Sequence, residues 1–240
     1  MTLEISASAR FEATVVWAIL LAAVIFTAAP WLDLAASRAF FSAERGFWMA
    51  QEPWLLDLRE MLWIVCVTPL WLALAGLIGG TTGRLRCAVP ARIWGFVVSL
   101  YLLGPCLLAN VLLKSHWGRA RPANIAEFGG TAQFTPALLP AQECVRNCSF
   151  VSGEGSAAAA LLISGLVLSC YVGCVCKRLF LRCMLWGIAL TAMGLRVMMG
   201  RHFLSDTLFA GLFVAAIALA LMRIVGAVRT PRRAFTPVRA

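Results

Sequence analysis

Long apolar stretches alternate with short polar ones along this chain. A helix that crosses a bilayer needs about 20 apolar residues. Six stretches meet or approach that length, at 14–33, 58–80, 93–113, 156–175, 180–198 and 204–226. The fourth has the least defined start, because Gly153-Glu154-Gly155-Ser156 precedes it. The pattern predicts an all-α, polytopic bundle of six transmembrane helices, folded as one integral domain over residues 1–240. Between the first two spans, the aromatics from Phe40-Phe41 through Phe47-Trp48 to Trp54 suit a segment lying in the interface. That segment reads as an anchoring loop or as a lip over which lipid enters.

Composition agrees with the pattern. The chain is 61% hydrophobic with a mean hydropathy of +0.85, more apolar side chain than a soluble domain of 240 residues could hide. The net charge of +10 does not point to nucleic acid, since no basic stripe is interleaved with aromatics. Basic residues beside apolar spans orient a membrane protein instead. One set of segments carries Arg10, then Arg84, Arg86 and Arg92, then Lys177, Arg178 and Arg182, then Arg223 and the arginines beyond it. This set is assigned to the cytoplasm, with both termini, and residues 229–240 read as a disordered cytoplasmic tail. The chain starts with Glu4, Arg10 and Glu12 ahead of a long apolar run, which reads as a retained span and not a cleaved export signal. The nine cysteines show no zinc-type C-x-x-C framework. Cys144 and Cys148, in the long polar segment 123–150, are either a short disulfide on an oxidising face or two thiols.

Positive charge on the outer face runs against topology, and there it gathers in two short clusters. The first is Lys114-Ser115-His116-Trp117-Gly118-Arg119-Ala120-Arg121-Pro122, directly after the third span. Gly118 and Pro122 bend it away from a helix, unlike a simple interfacial cap. The second is Arg196 through Arg201-His202 to Asp206, joining the last two spans. His202 and Asp206 are four apart, so on a helix they would share a face and hydrogen-bond. Between them in sequence, Ser149-Phe150-Val151-Ser152-Gly153-Glu154 opens the fourth span on the same side. Ser152 suits an N-cap, and the small residues leave backbone N–H groups open to an anion. Guanidiniums, an ammonium, backbone N–H groups and a His–Asp pair together are what phosphoryl transfer requires. The charge of that transition state is spread over three oxygens, and a His can take the phosphoryl group covalently.

At these residues the sequence resembles the type 2 phosphatidic acid phosphatase superfamily, whose pattern is K-x6-R-P, P-S-G-H and S-R-x5-H-x3-D. Lys114 to Arg121-Pro122 fits the first part completely. Arg196, His202 and Asp206 fit the third, with Leu195 in place of Ser. The resemblance covers the core 93–226 and implies a metal-independent hydrolase with no cofactor. It implies a phosphohistidine on His202 oriented by Asp206, and phosphoryl binding by Lys114, Arg121, Arg196, Ser152 and Gly153. The second part departs: Val151-Ser152-Gly153-Glu154 lacks the Pro and has Glu where the family's proton-donating His stands. Glu154, His116 and water stay open as the donor. The reference pKa of His, about 6.5, matches that task better than the 4.3 of Glu. His116 reaches the site of Lys114 only if the helix has ended, because positions two apart point away from each other.

Phe128-Gly129-Gly130, Phe134-Thr135-Pro136 and Asn147 to Glu154 look most like the bacterial branch that includes lipid A 4′-phosphatases. That branch implies an inner-membrane enzyme acting on a lipid phosphate from the periplasmic side. Undecaprenyl diphosphate, phosphatidylglycerol phosphate or phosphatidic acid are alternative substrates, and transfer to a second lipid is an alternative to hydrolysis. A non-enzymatic anion or lipid transporter is the remaining reading. The pattern specifies no oligomeric state.

Overall fold

The structure is a computed structural model and describes residues 2–82 and 89–225. Arg84, Arg86 and the tail 229–240, which carry much of the cytoplasmic assignment, lie outside the described residues. Among the described residues the chain is helical, with only two isolated bridges, Ser42 with Gly46 and Ile125 with Ala132. The helices are α1 (Thr2–Ala28), α2 (Trp31–Arg38), α3 (Pro53–Thr81), α4 (Ala91–His116), α5 (Gly153–Ser169), α6 (Val175–Met198) and α7 (Leu204–Val225). Five of them, α1, α3, α4, α6 and α7, are long and apolar enough to cross a membrane. The expected fourth span is α5, which has only 17 residues.

Boundaries moved where local chemistry overrides hydropathy. The first predicted span, 14–33, is cut at Ala28, because Pro30 cannot continue the helix. Its last residue, Asp33, therefore lies on the separate α2, where it is buried. The predicted span 156–175 is α5, which starts earlier at Gly153 and ends at Ser169. The predicted 180–198 starts earlier too, so Lys177 and Arg178 fall in the opening turns of α6.

Helix α5 is the hub, packed against α3, α4, α6 and α7. Ala157, Ala158, Ala159 and Ala160 are all buried. Such small residues let helix backbones approach closely, which is how apolar helices associate when lipid is the solvent. Large apolar side chains point the other way: Trp17 and Val24 on α1, Met61 and Trp71 on α3, Phe180 and Leu190 on α6 are exposed. An outward apolar surface on several long helices is that of a multi-pass membrane protein.

Two irregularities shape one end of the bundle. From Leu102 to Leu113, α4 winds as a π-helix that contains Pro105. Asn110 Nδ2 donates to the Pro105 carbonyl at 2.8 Å, tying its side chain back onto the widened helix. Beyond α4, residues 117–152 fold into a compact cap. Gly118 turns the chain at φ +69°, and a Cβ there would collide with the Ala141 carbonyl. Trp117 stacks on Phe150, with ring centroids 4.8 Å apart. Cys144 and Cys148 form a disulfide, with Cα atoms 5.6 Å apart.

Candidate active site

The end of α4, the cap, the start of α5 and the α6–α7 junction meet at one cleft of about 290 Å³. Lys114, Arg121, Asn147, Glu154, Arg196, Arg201 and His202 line it, with Arg59 from α3. Five cations thus face one carboxylate, a composition that suits a multiply charged anion. The motif residues among them come from segments as far apart as Lys114 and His202.

Ser152 caps α5 as expected: its Oγ accepts from Gly155 N at 3.1 Å. Gly153 in that first turn lies against Lys114. A Cβ at Gly153 would sit 2.9 Å from Lys114 Nζ and 2.7 Å from Asn110 Oδ1, so any larger residue displaces those two side-chain ends. Gly153→Ala is therefore expected to weaken phosphate binding about tenfold, a loss of about 1.4 kcal/mol. Titration with inorganic phosphate checks this, and unchanged affinity would remove Gly153 from the site.

Arg196 is buried, 8% exposed. Its Nη1 lies 3.5 Å from Glu154 Oε1, and its Nε has no hydrogen-bond partner. A buried N–H donor with no partner is costly, so this one is waiting for an acceptor. Arg121 donates to the Asn147 carbonyl at 2.9 Å. Burial, then the neighbouring Arg201, pushes the Arg121 guanidinium below its usual range, the mark of a cation short of counter-charge.

His202 is 1% exposed at the cleft floor. The structure corrects one expectation about it. His202 lies before α7 and not on it, so it does not share a helical face with Asp206. Its Nδ1 is 3.8 Å from Asp206 Oδ2 but 2.8 Å from the Ser149 carbonyl. A carbonyl only accepts, so Nδ1 carries the hydrogen and Nε2 keeps its lone pair. Burial pushes the imidazole down to about 4, so it is neutral near pH 7. Asp206 instead accepts from Arg119 Nη1 at 2.6 Å, Ser149 Oγ at 2.5 Å and Phe203 N at 2.8 Å.

The two candidate proton donors fare differently. His116 does not reach the cleft: the helix continues through it, its side chain is exposed, and its Nδ1 sits 2.8 Å from the Leu112 carbonyl. Glu154 is in the cleft, but its oxygens accept from Arg59 Nη2 at 2.5 Å and from Arg59 Nε at 3.1 and 3.2 Å.

Sequence reasoning missed Arg59, Arg119, Ser149, Asn110 and Asp33. One signal could have found two of them. Asp33 and Arg59 are ionisable residues at the edges of apolar stretches, where a charge marks function by default. Arg119 sits inside the first cluster yet is fully buried, a fate its spacing does not reveal.

Among known proteins, the chain is 39% identical over 123 residues to a protein named lipid A 4′-phosphatase from Rhizobium leguminosarum, covering 50% of each chain. A protein of the same name from Francisella tularensis subsp. novicida is 33% identical over 124 residues, 50% of this chain and 52% of its own. The chain spans about half the length of the curated relatives it matches. No solved structure matches. The sequence pattern of the PAP2 superfamily matches residues 92–229, which hold every motif residue in the cleft, and the chain belongs to that superfamily.

Proposed function

We propose that this protein is a lipid phosphatase that removes the 4′-phosphate of lipid A through a phosphohistidine on His202, without a metal. The carrying observation is the placement of Lys114, Arg121 and Arg196 around a neutral His202 in one cleft at the end of an apolar bundle. The names of its relatives support the substrate. In this reading Lys114, Arg121, Arg196 and the α5 N-terminus with Ser152 and Gly153 bind the phosphoryl oxygens. His202 Nε2 attacks phosphorus, the ester P–O bond breaks, and its electron pair leaves with the sugar oxygen. Water then cleaves the P–N bond and releases phosphate.

We place the protein in the bacterial inner membrane as a single domain with six crossings, α5 being the short one. Both termini are cytoplasmic and the cleft is periplasmic, which follows the basic segments. The test is mass analysis of lipid A incubated with purified protein in chelator. Loss of one phosphate from the 4′ position is expected. Loss from the other sugar, appearance of the phosphate on a second lipid, or no release would each overturn this reading.

The Arg59–Glu154 pair favours a second reading, a lipid diphosphate such as undecaprenyl diphosphate. A departing phosphate is a weaker base than a departing alkoxide and needs less help from a proton donor. Turnover tenfold faster on the diphosphate than on lipid A would select it. Glu154→Gln separates the roles of Glu154. If Glu154 protonates an alkoxide, the loss is about 100-fold on an alkyl phosphate. On an aryl phosphate with an activated leaving group it is under about tenfold. Equal losses on both would remove Glu154 from proton transfer.

A further inference from the structure

The part of the chain before the family-matched residues contributes one carboxylate to the core of the site. Asp33 on α2 is 1% exposed, and its Oδ2 accepts from Arg119 Nη2 at 2.8 Å. Its Oδ1 accepts from Ser205 N, and its Oδ2 from Ser205 Oγ, at 2.8 and 2.5 Å. Arg119, 0% exposed, bridges Asp33 to Asp206 with its Nη2 and Nη1. The backbone carbonyl of Arg119 accepts from Ser149 N at 2.8 Å. Ser149 in turn donates its Oγ to Asp206 and presents its carbonyl to His202 Nδ1. A continuous buried chain therefore runs from Asp33 through Arg119 and Asp206 to Ser149 and the imidazole.

The charge count of this chain explains why two carboxylates are present. With Asp206 alone, Arg119 would neutralise it, and the cluster behind the imidazole would offer nothing against the cations in front of it. Burial pushes the Asp33 carboxyl up, but its oxygens accept from Arg119 and from both Ser205 groups, as an ionised carboxylate's do, and the buried cluster then carries one net negative charge behind a neutral His202. When Nε2 bonds to phosphorus, the ring keeps its Nδ1 hydrogen and becomes cationic. A net negative cluster stabilises that cation at the moment it forms. Ser149 carries the geometry, since its carbonyl holds the ring and its hydroxyl and N–H are held by Asp206 and Arg119.

We infer that Asp33 is a positioning residue for the His202 nucleophile, one that supplies the negative charge offsetting the phosphorylated imidazole. Asp33 touches neither substrate nor the reacting atoms. The inference rests on reading His202 as the nucleophile.

The test uses the full chain purified in detergent, with Asp33→Asn, Ser205→Ala and, as control, Leu34→Ala on the same helix. Leu34 packs among the apolar residues beneath the cap and carries no charge. For Asp33→Asn we expect kcat to fall about 30-fold, the effect of one unit charge several ångströms away inside a protein. KM and inhibition by inorganic phosphate should stay within about twofold, because the phosphate-binding cations are intact. Orthovanadate, which bonds to the imidazole, should weaken in parallel with kcat. Ser205→Ala should show the same split more mildly, which keeps the test open if Asp33→Asn fails to fold. Unchanged kcat in a folded Asp33→Asn, equal loss of phosphate and vanadate binding, or the same loss in Leu34→Ala would overturn the inference. Full activity in His202→Ala would overturn the reading beneath it instead, so the two failures are distinguishable.

Discussion

His202→Ala is expected to lower phosphate release by about 10⁴-fold or more, the scale seen when a covalent nucleophile is removed. Inorganic phosphate should still bind, since Lys114, Arg121 and Arg196 hold it from other elements. The measurements are single-turnover phosphate release and trapping of labelled phosphoprotein at acid-labile nitrogen. Retained release, or label that persists in the variant, would end the phosphohistidine mechanism. The pH profile is part of the same expectation. Burial holds the imidazole near 4, so its contribution to the acid limb falls as pH drops through about 4, well below an exposed histidine. Folding is linked with the same sign. The unfolded histidine takes its proton near 6.5 and the folded one does not, so stability declines as pH falls from about 6.5 toward about 4.

Arg119→Ala has the second largest expected effect, and it acts on stability. The guanidinium lies under the Phe203 ring at 4.2 Å and donates to Thr135 O, Ser205 Oγ, Asp33 and Asp206. Removing it leaves two carboxylates buried without a cation. Breaking a buried pair in this way costs about 3–5 kcal/mol. In a domain of this size that is a fall of about 10 °C in unfolding midpoint. Thermal unfolding in detergent checks it, and a midpoint within about 2 °C of the parent would show that the network is not a structural centre. Activity should vanish with it, because Asp206 and Ser149 lose the group that locates them.

Much of this molecule was legible in its sequence, for reasons specific to each part. Five long apolar stretches became helices because bilayer thickness imposes a length that hydropathy reports directly. Lys114, Arg121, Arg196 and His202 were readable because motif spacing survives folding, and they do line one cleft. The His202–Asp206 contact was misjudged because the spacing rule assumes a helix, and α7 begins only at Leu204. Arg119 was invisible as a core residue because sequence position says nothing of which base in a cluster turns inward. Asp33 reads as the end of an apolar stretch, and only the break at Pro30 frees it to face Arg119. Long-range pairings between the two halves of the chain have no local signature.

The brevity of α5 bears on how a substrate arrives. Its 17 residues rise about 25 Å, short of a hydrocarbon core of about 30 Å, while α3 is far longer. Ringed by α3, α4, α6 and α7, α5 meets helices and not lipid, so its shortness shows inside the bundle. The first turn of α5, with Gly153 and Glu154, therefore stops among the ends of longer helices, where the cleft opens. On the proposed reading, a lipid meets the arginines of that cleft while its acyl tails stay among their neighbours, so no chain has to be extracted before chemistry begins.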